Sequence, residues 1–144
     1  MKKLALIVIA FVSMSGYSAT LPGNECAAPG NYVEGMLLTS IKNDLGIDLT
    51  RIQYDKTIME VISIHPVSEV FARKLAIADS MVNPGISADE LYGIYHSHHA
   101  VTVTAKYTFT DLNNKRDQFI SSAIANDDEC SVKYNGYLTL SREF

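Results

Sequence analysis

The 144-residue chain has no tryptophan and only two cysteines, four prolines and eight glycines. Two lone cysteines without CxxC spacing argue against a thiolate metal cluster or a dithiol redox centre. They leave one pairing, Cys26 with Cys130. No GxSxG, phosphate-binding loop or Cys/His pair at recognisable spacing occurs, so the familiar nucleophile and nucleotide signatures are missing. There is no internal repeat and no low-complexity tract. Positive charge is scarce: 12 Lys and Arg stand against 16 Asp and Glu, a formal net charge of −4. That balance argues against nucleic acid or an anionic membrane as partner, because both select basic surfaces. No cofactor-binding motif is present either.

The N-terminus carries the clearest positive signal. Lys2 and Lys3 precede an apolar run from Leu4 to Val12, and small and polar residues follow up to Ala19. This is the layout of a bacterial secretory leader. The run is about half the ~20 residues that a membrane span requires. Residues 1–19 are therefore read as a signal peptide and residues 20–144 as one disulfide-stapled domain. Cleavage after Ser18, with Gly16 two residues before it, fits the small-x-small pattern better than cleavage after Ala19. Cys26 follows Gly23-Asn24-Glu25, which is no lipobox, so neither a lipid anchor nor membrane insertion is expected after cleavage. Loss of Lys2 and Lys3 leaves 10 basic against 16 acidic residues. Export to the periplasm or beyond suits a structural disulfide.

Residues 20–30 are rich in Pro and Gly and read as an extended lead. Asn31 with Glu34 opens a helix in which Val33, Met36, Leu37 and Ile41 recur at i, i+3, i+4, and Gly46 ends it. Thr57 to Ile64 is β-branched and reads as a strand ended by His65-Pro66. Ser68 caps a second helix through about Met81, expected to bury Val70, Phe71, the Lys74 stem, Leu75 and Ala78. Ser87 with Glu90 opens a short third helix. From Val101 apolar and polar residues alternate to Phe109. A turn at 111–115, a strand from Gln118 to Ala125, a turn at 126–129 and a final strand bulged near Asn135-Gly136 complete a meander. The order α-β-α-α-β-β-β predicts an α+β domain: a three- to four-stranded antiparallel sheet with helices packed on one face.

Four groups of residues could carry function. His96 and His99 share one face of a helix and could ligate a metal; equally, they end a helix and complement its C-terminal dipole in water. Asp127, Asp128 and Glu129 could form an acidic docking patch, held rigid by Cys130, or a solvated turn. Tyr134 and Tyr137, with Tyr107 nearby, offer either contact area on the sheet or half-buried core. Glu69 and Arg73 lie four apart on the second helix, as in an ordinary i,i+4 ion pair.

The tail DQFISSAIANDDECSVKYNGYLTLSREF resembles small exported proteins of enteric bacteria labelled Shiga toxin A subunit-like. The resemblance covers mainly the last 40 residues. It implies RNA N-glycosidase ancestry, in which the catalytic helix carries Glu and Arg three residues apart. Glu69 and Arg73 depart from that spacing by one residue, so no catalytic residue is carried over. The sequence as a whole predicts an exported, non-enzymatic binding protein of immunity, inhibitor or accessory virulence type. Its partner would be a protein in the envelope or outside the cell, met through Tyr134, Tyr137 and the 127–129 turn. The alternative is a small hydrolase or N-glycosidase-like enzyme using Glu69 and Arg73.

Overall fold

The computed structural model describes residues 23–144; the leader expected over residues 1–19 lies outside them. Two helices, α1 (Asn24–Ala27) and α2 (Tyr32–Leu45), precede strand β1 (Ile58–Pro66). Helices α3 (Glu69–Val82) and α4 (Ala88–His96) follow, then strands β2 (Val101–Thr110), β3 (Arg116–Ala125) and β4 (Lys133–Ser141). The four strands form one antiparallel sheet in the order β1-β2-β3-β4. This is the α+β order that the sequence predicts.

Alternation along β2 decides where the core sits. Val101, Val103, Ala105, Tyr107 and Phe109 are buried together with Phe119, Ala123 and Ala125 of β3. Val33, Leu37 and Ile41, one face of α2, and Ala27 of α1 close over them. The Tyr107 hydroxyl donates to the Ala27 carbonyl at 2.6 Å, so the largest buried phenol is satisfied. Gly46, at φ 69°, ends α2 in the left-handed cap expected of it.

Helices α3 and α4 form a hairpin inserted between β1 and β2. A second cluster of Val67, Ala72, Ala76, Leu91, Tyr95 and Ala100 holds it together and meets the sheet at Ile124. Ile124 lies between Ala123 and Ala125 and so projects from the opposite side of β3. Asp79 supplies a polar tie: its Oδ2 lies 2.7 Å from Lys133 Nζ and accepts from the Tyr95 hydroxyl at 2.8 Å. Burial pushes the Asp79 carboxyl up, but these two donors outweigh it and hold it low. Burial and the same bond push the Tyr95 hydroxyl up to about 12.

Several local expectations differ from the outcome. The lead at 24–27 is a short helix, and two 3₁₀ turns (Leu49–Arg51 and Tyr54–Lys56) link α2 to β1. Strand β1 runs on through His65 and Pro66, which pair with Thr102 and Val101. A proline is tolerated there because β1 is an edge strand with one side unpaired. Helix α3 turns a different face inward: Ala72 and Ala76 are buried, while Val70 and Phe71 are exposed. Its partner is another helix rather than the sheet, and small residues allow the close approach. Strand β4 carries the anticipated irregularity, with the register shifting between Ser122 and Ala123 opposite Asn135.

Candidate functional site

One end of the sheet gathers most of the candidate residues. There β1 ends, β2 begins, β3 ends and the turn to β4 starts. The Ser87–Glu90 capping box fixes the start of α4. The helix stops at His96, and His98 and His99 follow with φ of 53° and 54°. Left-handed backbone costs a non-glycine residue about 1–2 kcal/mol, so two in succession need contacts to hold them. Val67 N–H bonds the Ala100 carbonyl at 2.9 Å, returning the chain to the sheet.

The facing turn is built by Asn126. Its side-chain oxygen accepts from the Asp128 and Glu129 amides at 3.0 and 2.8 Å, and its own amide donates to the Glu129 carbonyl at 2.9 Å. Cys130 is bonded to Cys26, which anchors the turn to α1. The two loops then meet. His99 Nδ1 lies 2.6 Å from Asp127 Oδ2, and His98 Nδ1 lies 2.8 Å from Asp128 Oδ2. The Asp127 amide donates to the His98 carbonyl at 3.1 Å. The hydrogen bond to Asp127, reinforced by its charge, raises the His99 imidazole above its ordinary value.

Beside this junction opens a pocket of about 540 Å³, floored by Pro66, Val67, Ala100 and Val101 and edged by His96, His99 and Asp127. A second cavity of about 200 Å³ lies on the far side of the turn, bounded by Glu25, the disulfide and residues 126–129. The larger volume falls in the range of small-ligand and side-chain pockets, with apolar walls and a few polar groups at the edge.

The fold thus brings His96, His99 and Asp127 to one pocket and sets Asp128 and Glu129 next to it. His96 stacks on Tyr92 at 5.4 Å, and the Arg73 guanidinium lies 4.4 Å from the centre of the same ring. Among the described residues no group of three His, Cys, Asp or Glu is placed to hold a metal. Tyr134 and Tyr137 lie elsewhere. Both are half-buried against the main core. Ser121 Oγ donates to the Tyr134 hydroxyl at 3.1 Å, and Tyr137 donates to Asp44 of α2 at 3.2 Å and meets Phe119 edge-on. They occupy the seam between sheet and helix, away from the pocket. Glu69 is exposed, 3.9 Å from Arg73, and neither residue borders the pockets above.

Sequence reasoning reached the turn and the histidines but not their junction, since the partners are 28 residues apart. It also missed Val67 and Ala100 as pocket walls, because short apolar residues at strand ends carry no signal of their own. No protein-family model, curated protein or solved structure matches the chain.

Proposed function

We propose that this chain is an exported, non-enzymatic binding protein, and that it grips a protein partner at the pocket and the acidic turn beside it. The observation that carries the reading is the juxtaposition of an apolar pocket of about 540 Å³ with a carboxylate edge braced by a disulfide. Such a site suits an apolar side chain entering the pocket with a basic group next to it, meeting Asp127, Asp128 and Glu129. A rigid edge loses little conformational entropy on binding. Export is supported by the leader expected over residues 1–19 and by the disulfide, a bond characteristic of oxidising compartments. No helix among the described residues is long and apolar enough to cross a membrane. The tail's resemblance to exported enteric proteins supports a partner in a bacterial envelope or outside the cell.

The test is capture from periplasmic extract and culture medium with tagged residues 20–144, in oxidised and reduced forms and as Asp128→Lys. The expected result is one stoichiometric partner, held by the oxidised protein and lost in Asp128→Lys while that variant remains folded by circular dichroism. Absence of any partner, or full retention by the charge reversal, contradicts the proposal.

A further inference from the structure

His98 and His99 are adjacent, and both stand in the left-handed region that few non-glycine residues enter, histidine more readily than most. Each meets a different carboxylate of the same turn, at 2.8 and 2.6 Å, in pairs that remain largely exposed. The backbone bond from Asp127 to His98 joins the two pairs into one connected unit. The turn itself cannot retreat, because Cys130 is fixed to Cys26. The freedom available on opening therefore belongs to residues 97–99.

We propose that the His98–Asp128 and His99–Asp127 pairs form a proton-operated clasp on the rim of the pocket. With both imidazoles protonated the clasp is closed, the strained segment is held and two carboxylates are neutralised. Loss of the two protons reduces each charge-assisted bond to at most a neutral N–H···carboxylate bond, loosens residues 97–99 and leaves the charge of Asp127 and Asp128 uncompensated.

The surroundings favour this. Among the described residues no Lys or Arg lines either cavity, so the imidazoles are the basic groups on the rim. Among the described residues the other titratable groups lining the two cavities are His96 from α4, Glu25 from α1 and Glu129 from the turn itself, with Tyr32 of α2 facing Glu129. The two glutamates add negative charge beside the pairs. Carboxylates ordinarily ionise well below the range in which imidazoles titrate, so the change in rim charge follows the histidines. The direction at His99, raised by Asp127, agrees in sign. A raised imidazole stabilises the closed form fully at low pH and ceases to do so as pH rises through its folded value. As regulation of binding the clasp rests on the function proposed above: a basic partner would be held more tightly once the rim carries its full negative charge.

The test is a proton titration of oxidised residues 20–144 by NMR from about pH 5 to about pH 8, bracketing the imidazole range. The expected result is that the Asp127 and Asp128 amides shift at the same midpoints as the His98 and His99 rings, with residues 97–99 gaining motion above them. In Asp127→Asn the His99 midpoint moves to lower pH. In His98→Asn/His99→Asn, where asparagine tolerates the left-handed backbone, the amide titration is lost. Turn amides that ignore the imidazoles, or a His99 midpoint unmoved by Asp127→Asn, overturn the clasp. This titration needs no partner. Capture that is equal at acid and neutral pH would remove the regulation while leaving the binding function standing.

Discussion

At Gly23 the missing side chain matters more than any contact the residue makes. A Cβ there would lie 2.7 Å from Val103 Cγ2, and the residue sits at φ 135°. Gly23→Ala is expected to lower stability by about 1–3 kcal/mol through overpacking and backbone strain, read as a shift in the urea midpoint at constant m-value. Asp111 is the converse case, a side chain whose every oxygen is used. It accepts from the Asn113 and Lys115 amides at 2.8 and 2.9 Å and meets Arg51 at 2.6 Å. Burial pushes its carboxyl up, but the two amides and the guanidinium outweigh that and hold it below the usual range. A lowered carboxyl contributes stability above its unfolded value and loses it as pH falls through the folded one. Asp111→Asn should therefore be less stable than the parent at neutral pH, and the gap in urea midpoint should close as the solution is acidified. Asp111 was legible only as a turn residue. Its partner Arg51 is 60 residues away, and no local pattern announces that pairing.

At the scale of elements the sheet and the hairpin behave differently. Strand β2 could be read from its sequence because alternation of Val, Ala, Tyr and Phe with Thr and Lys has one solution, a strand with one face in the core. Helix α3 has two apolar stripes, and choosing between them requires knowing what it packs against. The stripe with Val70, Ile77 and Met81 is exposed, while the small Ala72 and Ala76 take the contact with α4. Amphipathic periodicity gives a helix its existence and leaves its orientation to the tertiary neighbour. The hairpin meets the sheet chiefly at Ile124 and through Asp79 with Lys133, while the Tyr95 hydroxyl ties α4 to Asp79 of α3. Asp79→Asn should loosen it locally. Hydrogen exchange in α3 and α4 is expected to speed up while β2 and β3 keep their protection; equal loss of protection throughout the sheet would contradict a separately docked hairpin.

For the whole molecule, the disulfide joins positions 104 residues apart. The chain-entropy model gives about 4–5 kcal/mol for a loop of that size, an upper figure for a bond between unstrained ends. Cys26→Ser/Cys130→Ser should unfold at markedly lower urea concentration. The 126–130 turn, tied to α1 by that bond, should lose protection first. The pairing was legible because two cysteines allow only one. The pocket was not, because it is assembled from the ends of β1, α4, β2 and β3, which come together only in the folded chain. The acidic run and the histidines were visible as separate clusters, and their apposition is a product of topology.

On the function proposed above, this end of the sheet, rather than the α3 face carrying Glu69 or the outer sheet face carrying Leu138, meets the partner. Site-specific photo-crosslinking tests it most directly, with a benzophenone amino acid placed in turn at positions 128, 69 and 138 of the exported protein in living cells. The account predicts one discrete adduct from position 128 and none from the other two. An adduct from position 69 or 138, with none from 128, would contradict it.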